Sequence, residues 1–244
     1  TAAAGKEVLG TIKQAADMAA AGDIDGFVFA PLNKQAMHLA GLGFEDEMQF
    51  LKSHIGFEGE VGELNVLEKL WTSRVTSHVA IRDVADHITT DSIARAIGLL
   101  DRSLRASGLE RPRLAVAALN PHAGDGGNFG REEIDVIEPA VAQAATDGAA
   151  VEGPYPSDTV FVRAKEGAYD GVVTMYHDQG QIAMKLMGFG SGITVLGGLP
   201  FPVTTAAHGT AYDIAGKGEA DPTALIEAWR TCTRMAHSAK GANT

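Results

Sequence analysis

Four short apolar runs, each unbroken by the alternation of a half-exposed strand, constrain this chain most tightly. They are Gly26-Phe27-Val28-Phe29-Ala30, Arg113-Leu114-Ala115-Val116-Ala117-Ala118-Leu119, Gly171-Val172-Val173-Thr174-Met175 and Ile193 to Leu196. A strand that is apolar on both sides is buried on both faces, the situation of a parallel sheet covered by helices. The segments between them have the helical period. Val8, Ile12, Ala15, Ala16 and Ala19 precede a capping Gly22, and Ile93, Ile97, Leu100 and Leu104 precede Gly108. Ile134, Ile137 and Val141 predict a helix kinked or restarted at Pro139. Asp221 and Pro222 open a last helix with Leu225, Trp229, Cys232 and Ala236 on one stripe. The β-branched stretch Arg74 to Val79 predicts a further strand, with Thr90 or Asp91 capping the helix after it, and Gly41 to Gly62 reads as mixed helix and loop. Strands alternating with helices in this way predict an α/β chain, three-layer αβα with a mostly parallel sheet.

Composition removes several alternatives. A formal charge of −11 gives the chain no general attraction to nucleic acid or to an anionic membrane. One cysteine, Cys232, excludes an intramolecular disulfide framework and a Cys-rich zinc or iron–sulfur site. No apolar run reaches the roughly 20 residues that span a bilayer, so no membrane partner is expected and the cytoplasm is the simplest location. The chain starts at Thr1 and enters a helix at once, from which we expect a preceding segment to be missing.

In parallel α/β folds ligands collect beyond the carboxyl ends of strands. Three such junctions carry histidine: Ser77-His78, Asn120-Pro121-His122 and Tyr176-His177-Asp178. Three neutral imidazoles brought together bind a borderline divalent metal and leave positions open for a substrate oxygen. Separations of 44 and 55 residues form no local ligand pattern, and a lone histidine near a strand end is more often a hydrogen-bonded structural residue than a ligand. The glycines after His122 allow close backbone approach to a ligand, or make a surface turn. Asp178 reads as an orienting or acid/base partner of His177, and Lys185 as positive charge for an anion or as a solvated lysine. The order of glycines, histidine and acid in His208-Gly209-Thr210-Ala211-Tyr212-Asp213-Ile214-Ala215-Gly216-Lys217-Gly218 is too particular for a plain turn.

That segment resembles the adenine-side cofactor loop of the isocitrate and isopropylmalate dehydrogenase fold, which has two subdomains around a cleft. Asn120-Pro121-His122-Ala123-Gly124 and Tyr176-His177-Asp178-Gln179-Gly180 narrow the resemblance to the 4-hydroxythreonine-4-phosphate dehydrogenase family of pyridoxal phosphate (pyridoxine) biosynthesis and its relatives, over nearly the whole chain. The resemblance implies NAD or NADP bound by His208, Gly209, Thr210, Ala211 and Asp213. It implies one divalent metal of the zinc, magnesium or cobalt class held by His78, His122 and His177. Two of these ligands come from one subunit and one, His177, from the other, so an obligate homodimer with shared active sites is implied. Lys185 matches a substrate-binding lysine, and Asp158 in Pro156-Ser157-Asp158-Thr159 an active-site aspartate.

The departures concern the substrate. A Gly-His-Thr-Glu-Phe motif of the biosynthetic members aligns with Asp46-Glu47-Met48-Gln49-Phe50, so Glu47 and Met48 take the histidine and threonine positions. The family's substrate-binding asparagine and arginine fall at Thr194 and Val203, and valine cannot replace a bidentate phosphate partner. The expectation is metal-dependent, NAD(P)-linked oxidation of a secondary alcohol in a small anionic hydroxy acid like 4-hydroxythreonine 4-phosphate, with decarboxylation where the ketone lies β to a carboxylate. Asp178, Asp158 and Lys185 are the expected catalytic groups, and Lys185, Glu47, Met48 and Thr194 the expected substrate contacts. Two alternatives stand beside it. One is a catabolic relative acting on a phosphorylated sugar acid of the threonate or erythronate type or on a cis-dihydrodiol; the other is a non-catalytic protein that binds NAD and metal.

Overall fold

The computed structural model describes residues Thr1 to Gly241. In chain order the elements are α1 (Ala2–Ala21), β1 (Phe27–Phe29), α2 (Lys34–Leu39), α3 (Glu47–His54), β2 (Gly62–Leu67), β3 (Leu70–Arg74), α4 (Val84–His87), α5 (Thr90–Ala106), β4 (Arg113–Ala117), α6 (Glu138–Thr146), β5 (Ala150–Tyr155), α7 (Ser157–Lys165), β6 (Gly171–Thr174), α8 (His177–Gly188), β7 (Ile193–Gly197), β8 (Val203–Ala206) and α9 (Thr223–Gly241). The described residues fall into two compact units, one of residues 1–63 with 190–241 and one of residues 64–189.

In the first unit α1 ends on Gly22 at φ 81, as the sequence predicts, because the left-handed cap conformation costs glycine little. β1 pairs parallel with β8, Phe27 opposite Val203 and Phe29 opposite Thr205, while β7 runs antiparallel to β8. Leu9, Ile12, Met37, Leu51, Leu196 and Val203 share one core. The last helix rotates away from the predicted stripe. It buries Ala224, Ala228, Thr231, Cys232 and Met235, and leaves Trp229 60% exposed. The small side chains let α9 lie close to β8, where Thr204 Oγ1 donates to the Ala228 carbonyl at 2.8 Å. Close approach decided the buried face, and side-chain bulk did not.

In the second unit β3, β6, β4 and β5 pair parallel in that order, with β2 antiparallel to β3. Both faces are covered. Ala115, Ala117 and Val172 pack with Val160, Phe161, Ala164 and Met184 of α7 and α8, and Ile93, Ile97, Leu100 and Leu104 of α5 are fully buried. Gly171 is required on the α5 side, since a Cβ there would stand 2.8 Å from Leu100 and 2.9 Å from Leu114. The unbroken apolar runs are therefore the signature of two-sided burial. Parallel pairings predominate, and helices flank the strands, as the sequence predicts. The helix carrying Ile137 does restart near Pro139, where a π-turn at Glu133–Ile137 gives way to α6.

Two local expectations are corrected. The strand predicted at Arg74 to Val79 lies earlier, at β3, and only Val75 and Thr76 continue its bonding, their N–H groups donating to the carbonyls of Thr174 and Met175 at 2.8 and 3.1 Å. The cap of α5 is Thr89, whose hydroxyl accepts from the Ser92 N–H while the Ser92 hydroxyl accepts from the Thr89 N–H, a reciprocal pair one residue before the predicted cap. Among the described residues no helix is long and apolar enough to cross a membrane.

The starts of β4 and β6 are tied by Arg113, which donates to Asp170 from its backbone N–H at 2.8 Å and from Nε and Nη2 at 3.1 and 2.8 Å. Burial alone would raise the Asp170 pKa, but these hydrogen bonds outweigh it and hold the carboxyl below its ordinary value. A carboxyl depressed in the folded state stabilises the fold above its unfolded pKa, and that contribution disappears as pH falls through the folded value. With Arg113 half exposed, the tie is worth about 1 kcal/mol. Urea unfolding of Asp170→Asn is expected to show that loss at pH 7 and a smaller difference from the parent near pH 3; an unchanged gap between the two pH values would refute the assignment.

Candidate active site

The parallel set β3-β6-β4 delivers three chain segments to one edge, and each leads to one of the three histidines. These segments are stitched through Met175. Its carbonyl accepts from the Thr76 N–H and from Thr76 Oγ1 at 2.8 Å, and its N–H donates to Gln179 Oε1 at 2.7 Å. Gln179 Nε2 then donates to the Ala118 carbonyl at 2.8 Å. One amide in the first turn of α8 thus joins the end of β6 to the end of β4. Sequence reading quoted Gln179 within a motif and missed this role; a glutamine two residues beyond a strand-end histidine was its only signal.

Beyond β4, Pro121 to Gly127 form a left-handed turn. His122, Ala123, Gly124, Asp125 and Gly126 all have positive φ, between 46° and 78°. For the three residues with a Cβ this costs roughly 1–2 kcal/mol each, and such strain persists where neighbours fix it. The fixing group is Glu133, 1% exposed, which accepts from the N–H groups of Leu119 and Asn120 at 2.9 and 2.7 Å and from Asn120 Nδ2 at 3.0 Å. Gly124 is required beneath it, because a Cβ would stand 2.7 Å from Glu133 Oε2. The sequence suggested flexibility or exposed amides here; the structure has a rigid turn built on a buried carboxylate.

Within the chain the structure brings His78 and His177 together, ring centres 6.1 Å apart. His177 Nδ1 lies 2.7 Å from Asp178 Oδ1, so the carboxylate makes Nδ1 the donor and leaves Nε2 with the lone pair in the neutral ring. His122 stands apart from that pair, its ring 6.2 Å from Phe129. Among the described residues no three His, Cys, Asp or Glu side chains are grouped to hold a metal. The division of ligands implied by the family resemblance, with His78 beside His122 and His177 reserved for the other subunit, is not the pairing seen within this chain. Asp158 is exposed in the first turn of α7. Lys185 is exposed on α8, eight residues from His177 and so about 12 Å along the helix axis, too far to act beside it in one chain.

The first unit carries a cleft of about 500 Å³ at the ends of β1 and β8. His208, Gly209 and Thr210 line it, as do Thr194 and Glu47. Met48 does not, being 5% exposed in the core of that unit, and Ala211 and Asp213 lie on an exposed turn that continues the loop. Val203 is fully buried. Lys34, unassigned by sequence reasoning, lies on the cleft wall, 3.6 Å from Glu47 Oε2. The Asn-Lys pair directly after the first strand was its available signal.

A mostly parallel α/β chain with histidines at adjacent strand ends and a glycine-bearing loop on a cleft has the build of the isocitrate dehydrogenase fold, and the isocitrate dehydrogenase of Methylococcus capsulatus shares that fold at a TM-score of 0.53 and 18% identity, over 88% of this chain and 70% of that one. The chain belongs to the family described as "Pyridoxal phosphate biosynthetic protein PdxA", whose profile matches residues 1–232. A Rhizobium meliloti protein named provisionally as 4-hydroxythreonine-4-phosphate dehydrogenase 2 is 52% identical over 97% of this chain and 68% of its own length. The D-threonate 4-phosphate dehydrogenase of Salmonella typhimurium is 40% identical over 92% of this chain and 68% of its own. The crystal structure of a Klebsiella pneumoniae 4-hydroxythreonine-4-phosphate dehydrogenase superposes at a TM-score of 0.84 with 42% identity, covering 97% of this chain and 72% of that one. A terephthalate 1,2-cis-dihydrodiol dehydrogenase from Burkholderia xenovorans gives 0.73 and 31%, over 96% and 74%.

Removing the Glu133 carboxylate leaves the half-buried N–H groups of Leu119 and Asn120 without their acceptor, at a cost of about 1–3 kcal/mol each. Glu133→Ala is expected to lower unfolding free energy by about 3 kcal/mol and to increase hydrogen exchange at Leu119 and Asn120. Retained protection of those two amides would exclude the clamp.

Proposed function

We propose that this protein is a metal-dependent, NAD(P)-linked dehydrogenase that oxidises a secondary alcohol of a phosphorylated hydroxy acid. The observation that carries this reading is the His78–His177 pair at the strand ends, with Asp178 fixing one imidazole so that its Nε2 lone pair is free. Neutral imidazoles are a fitting donor set for a borderline divalent cation. When bound, such a metal supplies Lewis acidity to the alcohol oxygen, and the nicotinamide accepts the hydride.

The chain's own groups do the rest. Asp178 orients His177, and its exposed second oxygen is placed to pass a proton to solvent. His208, Gly209 and Thr210 present the cofactor loop on the cleft wall, where the His208 ring and the Gly209 carbonyl fix each other at 2.9 Å. Lys185 anchors an anionic end of substrate. Because it lies a long way up α8 from His177, we assign it to the active site of a second copy. Ile182 and Leu186 on the same helix are 58% and 84% exposed, which supports burial of α8 against that copy. The homodimer also provides a third histidine for the pair. His122 is the group we assign to it, delivered by the clamped left-handed turn.

The relatives' names cover both 4-hydroxythreonine 4-phosphate and D-threonate 4-phosphate. We favour the sugar acid. Glu47 and Met48 stand where the biosynthetic members are expected to carry the histidine and threonine of their substrate motif, and Glu47 sets a carboxylate on the cleft wall, so this chain departs from the substrate contacts implied for those members. Where the resulting ketone lies β to a carboxylate, decarboxylation follows.

Incubation with D-threonate 4-phosphate, NAD and a divalent metal is expected to produce NADH, and a strong chelator to abolish it. His177→Ala should reduce kcat/KM by at least about 10³-fold with the fold retained by circular dichroism; NADH formation undiminished by chelation would remove the metal from the mechanism. Leu186→Glu tests the second copy. Sedimentation should shift from dimer to monomer, with activity lost in parallel, whereas an active monomer would confine the site to one chain.

A further inference from the structure

Lys34 and Glu47 are the first residues of α2 and α3, and both helices are capped by the side chain before them, Asn33 accepting from the Ala36 N–H at 2.8 Å and Asp46 from the Gln49 N–H at 2.9 Å. The two positions are thereby fixed by backbone. Glu47 is 6% exposed, and its Oε2 has no hydrogen-bond partner although the residue borders the 500 Å³ cleft. Its ion pair with Lys34, at 3.6 Å, is too long for a hydrogen bond. A buried carboxylate oxygen in this state is unfavourable unless a donor reaches it. Lys34 is half exposed on the same wall.

We infer that Lys34 and Glu47 form a subsite that reads a ligand hydroxyl and rejects a phosphate ester at the same point. This deepens the dehydrogenase reading above and rests on it for the identity of the ligands. A hydroxyl both accepts and donates, so it takes a hydrogen bond from the Lys34 ammonium and gives one to Glu47 Oε2. A phosphate satisfies Lys34 but brings like charge against a buried carboxylate. An ammonium satisfies Glu47 and is repelled by Lys34. The chemistry fits a ribose of the nucleotide, since the His208-Gly209-Thr210 loop shares the cleft. An acidic side chain that accepts from a ribose 2′-hydroxyl is a known means of preferring NAD to its 2′-phosphorylated form.

Calorimetric titration of the full chain and of Glu47→Gln with NAD and with NADP, which differ by one phosphate ester, decides it. The parent protein is expected to hold NAD at least about tenfold more tightly, and Glu47→Gln to reduce that ratio to about threefold or less by admitting NADP. Lys34→Gln, at a half-exposed position, should weaken NAD without strengthening NADP. Absence of the preference, or its survival in Glu47→Gln, overturns the subsite. NADH formation with unaltered ratios leaves the dehydrogenase standing and removes the subsite; a preference that Glu47→Gln abolishes, without NADH formation from any hydroxy acid, does the reverse.

Discussion

The backbone of Met175 is where the second unit's candidate chemistry is assembled. Its carbonyl takes two hydrogen bonds from Thr76 and its N–H gives one to Gln179, which reaches on to Ala118. Parallel pairing alone aligns the ends of β3, β6 and β4. It does not prevent the segments beyond them from fraying, because regular bonding stops there. The Thr76–Met175–Gln179–Ala118 chain carries the order of the sheet a few residues further, to the points where His78 and His177 depart. Imidazole positions good to a fraction of an ångström need such support, since a site on loose loops loses its geometry to backbone motion.

His122 is held by different means. Its turn occupies a region of backbone space that residues with a Cβ avoid, and Glu133 holds it there from below with hydrogen bonds at the turn's entry. The strain and the buried carboxylate make sense together, as each alone would be disfavoured: an unclamped turn would relax to negative φ, and an unsatisfied Glu133 would be a buried charge without partners. The turn leaves His122 outside the His78–His177 pair of its own chain, which agrees with its proposed assignment to a second copy.

Much of this architecture was legible in the sequence, for reasons that particular residues make plain. Gly171 to Met175 and Arg113 to Leu119 announced themselves because burial on both faces leaves few polar positions, Thr174 inside one run and Arg113 at the exposed start of the other. β2, β5 and β8 passed unread: β2 mixes Glu63 and Asn65 with its apolar residues, β5 includes Gly153 and Pro154, and β8 is four residues long with two threonines. The strand before His78 was placed too late because Val75 and Thr76 carry the strongest β-branched signal, while the pairing begins at Leu70. The buried face of α9 was set by Ala224 and Ala228, which a search for bulky apolar residues passes over. Histidine positions, by contrast, followed from strand ends and motif resemblance. Which of them meet inside one chain is a matter of turn handedness, and no spacing rule in the sequence encodes that.

The two units also divide the problem posed by an anionic substrate for a chain of charge −11. A protein with that mean field must concentrate positive character locally, through a lysine or a divalent cation, wherever an anion is to bind. The wall of the first unit's cleft does the opposite around the buried Glu47, with Lys34 tied to it, and the fully buried Val203 adds no cation. On the proposed reading, recognition of the substrate's negative charge falls to groups on the second unit, the histidine pair and Lys185, while the Glu47 wall takes a hydroxyl in preference to a phosphate ester. Specificity on that reading turns on where negative charge is refused, through one buried carboxylate at the start of a capped helix.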